Sequence, residues 1–404
     1  MHIVLFYHSL ISDWNHGNAH FLRGIATELL ARGHRVDLYE PRDGWSRNNL
    51  IAEHGIQPQH DFQASFPHLH STFYDLDSLK LDRVLDGADL VIVHEWNDHQ
   101  LIRRIGEHRQ QSGTYRLLFH DTHHRSLSDS QSIAAYHLAD YDGVLAFGRV
   151  VRDRYLRQKW TARAWIWHEA ADTTIFRPHA GAECDGDLVW VGNWGDDERT
   201  EQLREFLFEP VKALSLRARI YGVRYPGYAL DALTAAGIDY QGWLPNYQVP
   251  QVFARYRLTV HIPRQPYVQA LPGIPTIRIF EALACGIPLI CSPWHDVEGL
   301  FTPGKDYLIA SNGEQMKQHM RHLLHEPEAA RKLAEHGLQT VLARHTCAHR
   351  VDELLAICEE LGVDTTPESV PKSQTVLTNS IALPPRTSSQ TSSQTSAQTL
   401  GDSA

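Results

Sequence analysis

Several things are scarce in this 404-residue sequence, and each scarcity excludes something. Nowhere do 18 apolar residues run together, so no helix long and apolar enough to cross a bilayer is expected. No charged stretch followed by a long apolar one precedes residues 2–7, so a secretory signal is not expected. Cysteine is rare: Cys184, Cys285, Cys291, Cys347 and Cys358 are odd in number and form no C-x-x-C pair. That pattern fits neither a disulfide framework nor a thiolate zinc site, and it fits reduced thiols in a cytoplasmic protein. An excess of basic residues is also missing: 38 Lys+Arg against 48 Asp+Glu leave a net charge of −10. Wholesale nucleic-acid or anionic-membrane binding needs the opposite sign, which leaves room only for a local basic cleft.

What is present reads as a soluble globular chain, 42% hydrophobic and 21% charged. Of the 41 residues from Asp364 to Ala404, 25 are Ser, Thr, Gln or Pro. Such a segment cannot bury enough apolar surface to offset its ordering entropy, so 363–404 is expected to be a disordered tail without chemistry. Truncation after Gly362 is therefore expected to leave melting temperature and turnover unchanged.

Short apolar runs alternate with helical periodicity. Residues 2–7 read as a strand, and Phe21, Leu22, Ile25, Ala26, Leu29 and Leu30 follow at helical spacing up to Gly33. Further strands are expected at 35–39, 90–94, 116–120 and 143–146, then at 188–191, 218–222, 258–262 and 288–291. Strand–helix alternation of this kind implies parallel sheets covered on both faces. The fold class is thus α/β, with two Rossmann-like doubly wound domains at 1–175 and 176–362 facing across a cleft. A ligand is expected at the carboxyl ends of the strands.

The sharpest signal is Pro272–Pro293, where a Gly/Pro turn leads into a helix at Thr276–Cys285 that Gly286 closes. The start of that helix, with Gly273 and Thr276, offers unpaired amides and partial positive charge to an anion. Arg278 adds a guanidinium fork suited to phosphate, and the Glu281 carboxylate suits a ribose diol. The same i, i+3 spacing also suits a plain surface ion pair.

The Arg-x-Phe-Glu-x-x-Ala-Cys-Gly character of this stretch resembles the donor segment of GT-B nucleotide-sugar glycosyltransferases of the CgeB-type (spore-maturation-like) branch. Related retaining enzymes carry Glu-x7-Glu; Glu281 matches the second, whereas the first falls at Gly273. Trp167–Pro178 is similar to the family's interdomain segment, and Val189–Asn193 to the first strand and glycine turn of its nucleotide domain. Asn193 stands where the family has Arg after that glycine, which shifts the phosphate role to Arg199, with Arg264 as a further candidate. The resemblance implies a hexosyltransferase-like enzyme, retaining and metal-independent, that needs no cofactor beyond a nucleoside-diphosphate sugar. Its acceptor is unspecified: glycan, lipid-linked sugar, protein or small molecule.

In the first half, Trp14–His20 joins strand one to helix one. Gly17 there would allow close ligand approach, and Asn18 or His20 could touch sugar or phosphate, although a simple turn and cap explains the same residues. His120–Arg125 follows another strand; Asp121 and His123 are candidates for taking the acceptor's proton, imidazole titrating near neutral pH. His94–Trp96 is a candidate wall of the acceptor pocket. Alternatives are a nucleotide-sugar epimerase on the same architecture and a metal-dependent hydrolase centred on His120–His124.

Overall fold

The computed structural model describes residues 1–111 and 113–367. Its first sheet contains seven parallel strands: β1 (His2–Phe6), β2 (Arg35–Pro41), β3 (Ser71–Tyr74), β4 (Leu90–His94), β5 (Arg116–Asp121), β6 (Gly143–Ala146) and β7 (Ala164–Ile166). The second contains six: β8 (Gly186–Val191), β9 (Ala218–Tyr221), β10 (Ile238–Tyr240), β11 (Tyr256–His261), β12 (Leu289–Cys291) and β13 (Leu308–Ile309). Their orders, β3-β2-β1-β4-β5-β6-β7 and β10-β9-β8-β11-β12-β13, both reverse direction beside the first strand. That reversal opens a crevice at the carboxyl ends of the strands in each half, as doubly wound sheets do.

Central strands are apolar throughout because both of their faces are covered. Along β1, Ile3 and Leu5 pack with Phe21, Leu22 and Ile25 on one side, while Val4 and Phe6 pack with Leu101, Ile102 and Ile105 on the other. In the second sheet Val189 and Val191 join Ile279, Phe280 and Leu283, whereas Leu188 and Trp190 join Leu207, Ile220 and Met316. The strands that periodicity misses are β3, β7, β10 and β13, the short outer ones. They are two to four residues long and, apart from Tyr74 and Ile238, carry half-buried or exposed side chains, so no apolar run marks them.

The expected helix at Thr276–Cys285 is Ile277–Ala284, with Thr276 at its N-cap and Gly286 just beyond its end at φ +65°. After β8 the chain forms Thr200–Leu203, a π-helical turn at Arg204–Phe208, and Glu209–Leu214. The last helix, Cys347–Glu360, follows the second sheet in the chain but packs on helix Asn18–Ala31 of the first half. Val351, Leu354, Ile357 and Cys358 join the first half's core. Val363 packs against that same core, and the Met1 ammonium donates to Thr366 O at 3.2 Å. A cut after Gly362 therefore removes a core contact as well as tail; the expected tail from 368 onward lies outside the described residues.

Gly24 allows that return. A Cβ there would come within 2.4 Å of Cys347 Sγ and 2.9 Å of Asp172 Cβ. Gly24→Val is expected to destabilise the protein by about 1–3 kcal/mol through overpacking, seen as a lower midpoint in urea with an unchanged slope. An unchanged midpoint would show that the contact is not tight.

Candidate active site

The carboxyl ends of the two sheets face each other across a cavity of about 630 Å³. From the first half come the loop after β1 with Asn15–Asn18, Trp45, Trp96 and residues 122–125 after β5. From the second come the turn after β8 with Gly192 and Asn193, residues 261–264 at the end of β11, and the start of helix Ile277–Ala284. Glu169, on the segment crossing between the sheets, lines it too. Gly17 brings the first loop close to that helix: a Cβ there would lie 3.3 Å from Ile277 Cγ2.

Of the expected residues, Gly17, His123, Asn193, Arg199, Arg264, Thr276 and Arg278 all line this cavity. Thr276 Oγ1 lies 2.9 Å from His261 Nε2, which ties the helix start to the end of β11. Asn193 donates from Nδ2 to Asn15 Oδ1 at 2.8 Å and accepts from Val223 N–H at 3.0 Å, so it links the two halves. Arg199 donates to Ile262 O at 2.6 Å and to Asn193 O, and stacks 5.0 Å above the Trp190 ring. Burial lowers its pKa to about 10, which still leaves it a cation at neutral pH. Arg264 Nε pairs with Glu198 Oε2 at 3.1 Å, and its Nη2 reaches within 3.5 Å of the Nε2 atoms of His123 and His124.

Four expectations change. Glu281 does not open onto the cavity; it is 0% exposed. Its Oε1 accepts from Asn246 Nδ2 at 2.7 Å, and its Oε2 pairs with Arg278 Nη1 at 2.5 Å. No lone pair remains aimed at a ribose, so in this structure Glu281 holds Arg278 from behind. Burial alone would raise its pKa, but the Arg278 charge, His20 and the Asn246 hydrogen bond outweigh it and bring it to about 2. His20 is not exposed either. Its Nε2 accepts from the Asp172 backbone N–H at 2.8 Å, which places the proton on Nδ1, 3.2 Å from Glu281 Oε1. His20 thus fastens helix Asn18–Ala31 to helix Ile277–Ala284.

Asp121 is 0% exposed and lies beneath the cavity floor. Its carboxylate accepts from His123 N–H at 2.9 Å and from Tyr155 Oη at 2.8 Å, so it shapes the turn that presents His123. Gly273 stands away from the cavity. At φ +88° it makes the turn packed on 295–298, where its N–H donates to His295 O at 2.8 Å. Its conformation, not an anion, explains the glycine.

The histidines also differ from expectation. Burial, together with His124, Arg125 and Arg264, pushes His123 well below the ordinary imidazole range, and burial brings His124 to about 4. Both are neutral at pH 7 rather than near their midpoint. The cluster does not converge on a metal: His120 Nδ1 is 2.8 Å from Tyr7 Oη, and His124 Nδ1 is 2.8 Å from Ser128 Oγ. Among the described residues no three His, Cys, Asp or Glu side chains are grouped to hold an ion. His94 is buried, its Nε2 3.0 Å from Thr122 Oγ1, while its neighbour Trp96 does line the cavity beneath the Arg125 guanidinium at 4.2 Å.

Three further residues that line the cavity, Arg125, Glu169 and Trp190, fall inside the segments singled out in the sequence but without a role of their own, and Trp45 lies in none of them. Glu169 is 8% exposed, and burial raises its pKa to about 8 although Asn18, Arg278 and the Ile277 amide act the other way. A signal was available: an acidic residue set among Trp167, His168, Ala170 and Ala171, on the crossing between two sheets.

Residues 199–356 match the glycosyl transferase-like family. Comparison with curated proteins gives no match. Among solved structures, Anabaena HepE in complex with UDP and glucose superposes with a TM-score of 0.63 at 13% identity, covering 89% of this chain and 99% of that one. An alpha-glucosyltransferase in complex with UDP and a DNA 13-mer gives 0.65 at 11% identity, covering 89% and 99%. Sucrose-phosphate synthase from Thermosynechococcus elongatus gives 0.61 at 14% identity, covering 89% and 98%. These likenesses establish the two-domain GT-B fold. Together with the glycosyl transferase-like domain they support an enzyme of this type, and no described helix is long and apolar enough to cross a membrane.

Because Glu281 has a folded pKa below its unfolded one, it stabilises the protein above the ordinary carboxylate range, and that stabilisation is lost as pH falls toward about 2. On the order of 3 kcal/mol is at stake. Wild-type unfolding free energy, followed by urea titration from pH 5 down to pH 2.5, is expected to fall more steeply than that of Glu281→Gln. Parallel curves would contradict the pairing.

Proposed function

We propose that the protein transfers a sugar from a nucleoside-diphosphate donor to an acceptor hydroxyl, as a retaining glycosyltransferase of the CgeB-type branch. One observation carries this reading: Arg199, Arg264 and Arg278 line one cavity together with the N-terminus of helix Ile277–Ala284, between the carboxyl ends of two Rossmann-like sheets. Fixed cations and helix-end amides are what a leaving diphosphate needs, and they supply its charge stabilisation without a metal. UDP and UDP-glucose bound to structural neighbours favour a donor of this class.

The residues then divide by side. Arg199, Arg264 and Arg278 take the diphosphate, with Glu281, Asn246 and His20 holding Arg278 in place. Trp45, Trp96 and His123 bound the acceptor side, and His123, held neutral, is the cavity-facing base for the acceptor's proton. The acceptor can be a glycan, a lipid-linked sugar, a protein or a small molecule.

A thermal-shift screen of nucleoside diphosphates and their sugars tests this reading. At least one diphosphate is expected to raise the melting temperature, Arg278→Gln to weaken its binding tenfold or more, and a chelator to leave transfer unchanged. The anomer formed, read by NMR, checks retention. A screen with no stabilising nucleotide would overturn the reading, and donor epimerisation without any acceptor would point to an epimerase instead.

A further inference from the structure

The cavity's carboxyl groups are not equivalent. Glu198 is paired with Arg264 at 3.1 Å, and Asp196 with Arg224 at 2.5 Å. Glu169 lines the same cavity, is 8% exposed, and among the described residues makes no ion pair. A buried, unpaired carboxyl is costly unless something else satisfies it. Beside it lies Asn18, 6% exposed and also lining the cavity, whose Nδ2 and Oδ1 both lack an aligned hydrogen-bond partner. Asn18, at the start of helix Asn18–Ala31, is thus left without an aligned partner, and Glu169, on the inter-sheet segment, has only Asn18 and the Ile277 amide beside it, at a surface that a ligand reaches.

The chemistry of the pair indicates what it binds. A carboxyl group repels phosphate, so the diphosphate belongs against the arginines. A carboxyl next to a carboxamide offers both acceptors and donors, which is what hydroxyl groups on neighbouring ring carbons need. We propose that Glu169 and Asn18 together bind the hydroxyl groups of the donor's sugar ring and so select the sugar nucleotide over the bare nucleoside diphosphate. The inference rests on the donor reading above and adds to it the residues that recognise the sugar. Asn18 reaches the cavity because Gly17 lets the loop lie against Ile277. Glu169 reaches it from a segment joined to both sheets, so the sugar would be gripped by the element common to the two halves.

Binding of UDP and UDP-glucose, with GDP and GDP-mannose as a second pair, is measured by calorimetry on the full chain, its Glu169→Gln variant and its Asn18→Ala variant. Each variant's melting temperature is recorded without ligand. Both substitutions are expected to weaken the sugar nucleotide about tenfold or more while changing affinity for the matching diphosphate less than twofold. Equal weakening of both ligands, or no weakening alongside lost turnover, would overturn the assignment. If Glu169→Gln fails to fold, Asn18→Ala carries the same comparison. A wild-type protein that binds none of the four would sink the donor reading itself; a wild-type protein that binds them with an unchanged ratio in the variants would sink only the sugar assignment.

Discussion

A single buried carboxylate organises the centre of this molecule. Glu281 sits on helix Ile277–Ala284 with no exposure to solvent, and three groups converge on it: Arg278, Asn246 and His20. Removing any one partner would leave a charge or a polar atom stranded in low dielectric, where the penalty is several kcal/mol. Its consequence is geometric. Arg278 cannot swing away from the cavity wall, and His20 cannot leave without opening the contact between helices from opposite halves. Asp13 works in parallel, pairing with Arg23 at 3.0 Å while accepting from Trp243 Nε1 and Asn246 N–H, each at 3.0 Å. These contacts set the two sheets' carboxyl ends face to face.

Around that frame the cavity is electrostatically graded. Arginines cluster on the second half's side, and the histidines beside them are held neutral by burial and by those same cations. Neutral imidazoles add hydrogen-bonding capacity without adding charge, so the positive field stays with the guanidiniums, where a diphosphate would need it. On the first half's side Trp45 and Trp96 add aromatic surface, the guanidinium there, Arg125, lies over Trp96 and is paired with Glu95, and Glu169 marks the seam. The division follows from which strand end each loop leaves, because parallel sheets deliver all their functional loops to one edge.

Much of this was legible in the chain. Fully buried central strands such as Leu90–His94 announce themselves because both faces must be apolar. Helix Ile277–Ala284 is framed by a turn glycine and a terminating glycine, so its start and its arginine could be read directly. Outer strands such as Leu308–Ile309 could not be read, since two half-exposed residues make no pattern. Nor could the return of Cys347–Glu360 to the first half, which depends on Gly24 leaving room for Cys347.

Local periodicity and residue chemistry by themselves determined the α/β class, the central strands, and the arginines placed at loop and helix starts. Which groups face solvent is a different kind of fact. Asp121 and His123 are two residues apart, yet one lies under the floor and the other on the wall. Glu281 and Glu169 are both acidic and both buried, yet one has Asn246 and His20 brought to it from distant segments beside its own helix's Arg278, and the other lacks an ion pair. Only tertiary structure decides such differences, because a carboxylate's role depends on the neighbours that three-dimensional packing brings within about 3 Å, and those neighbours lie far away along the chain.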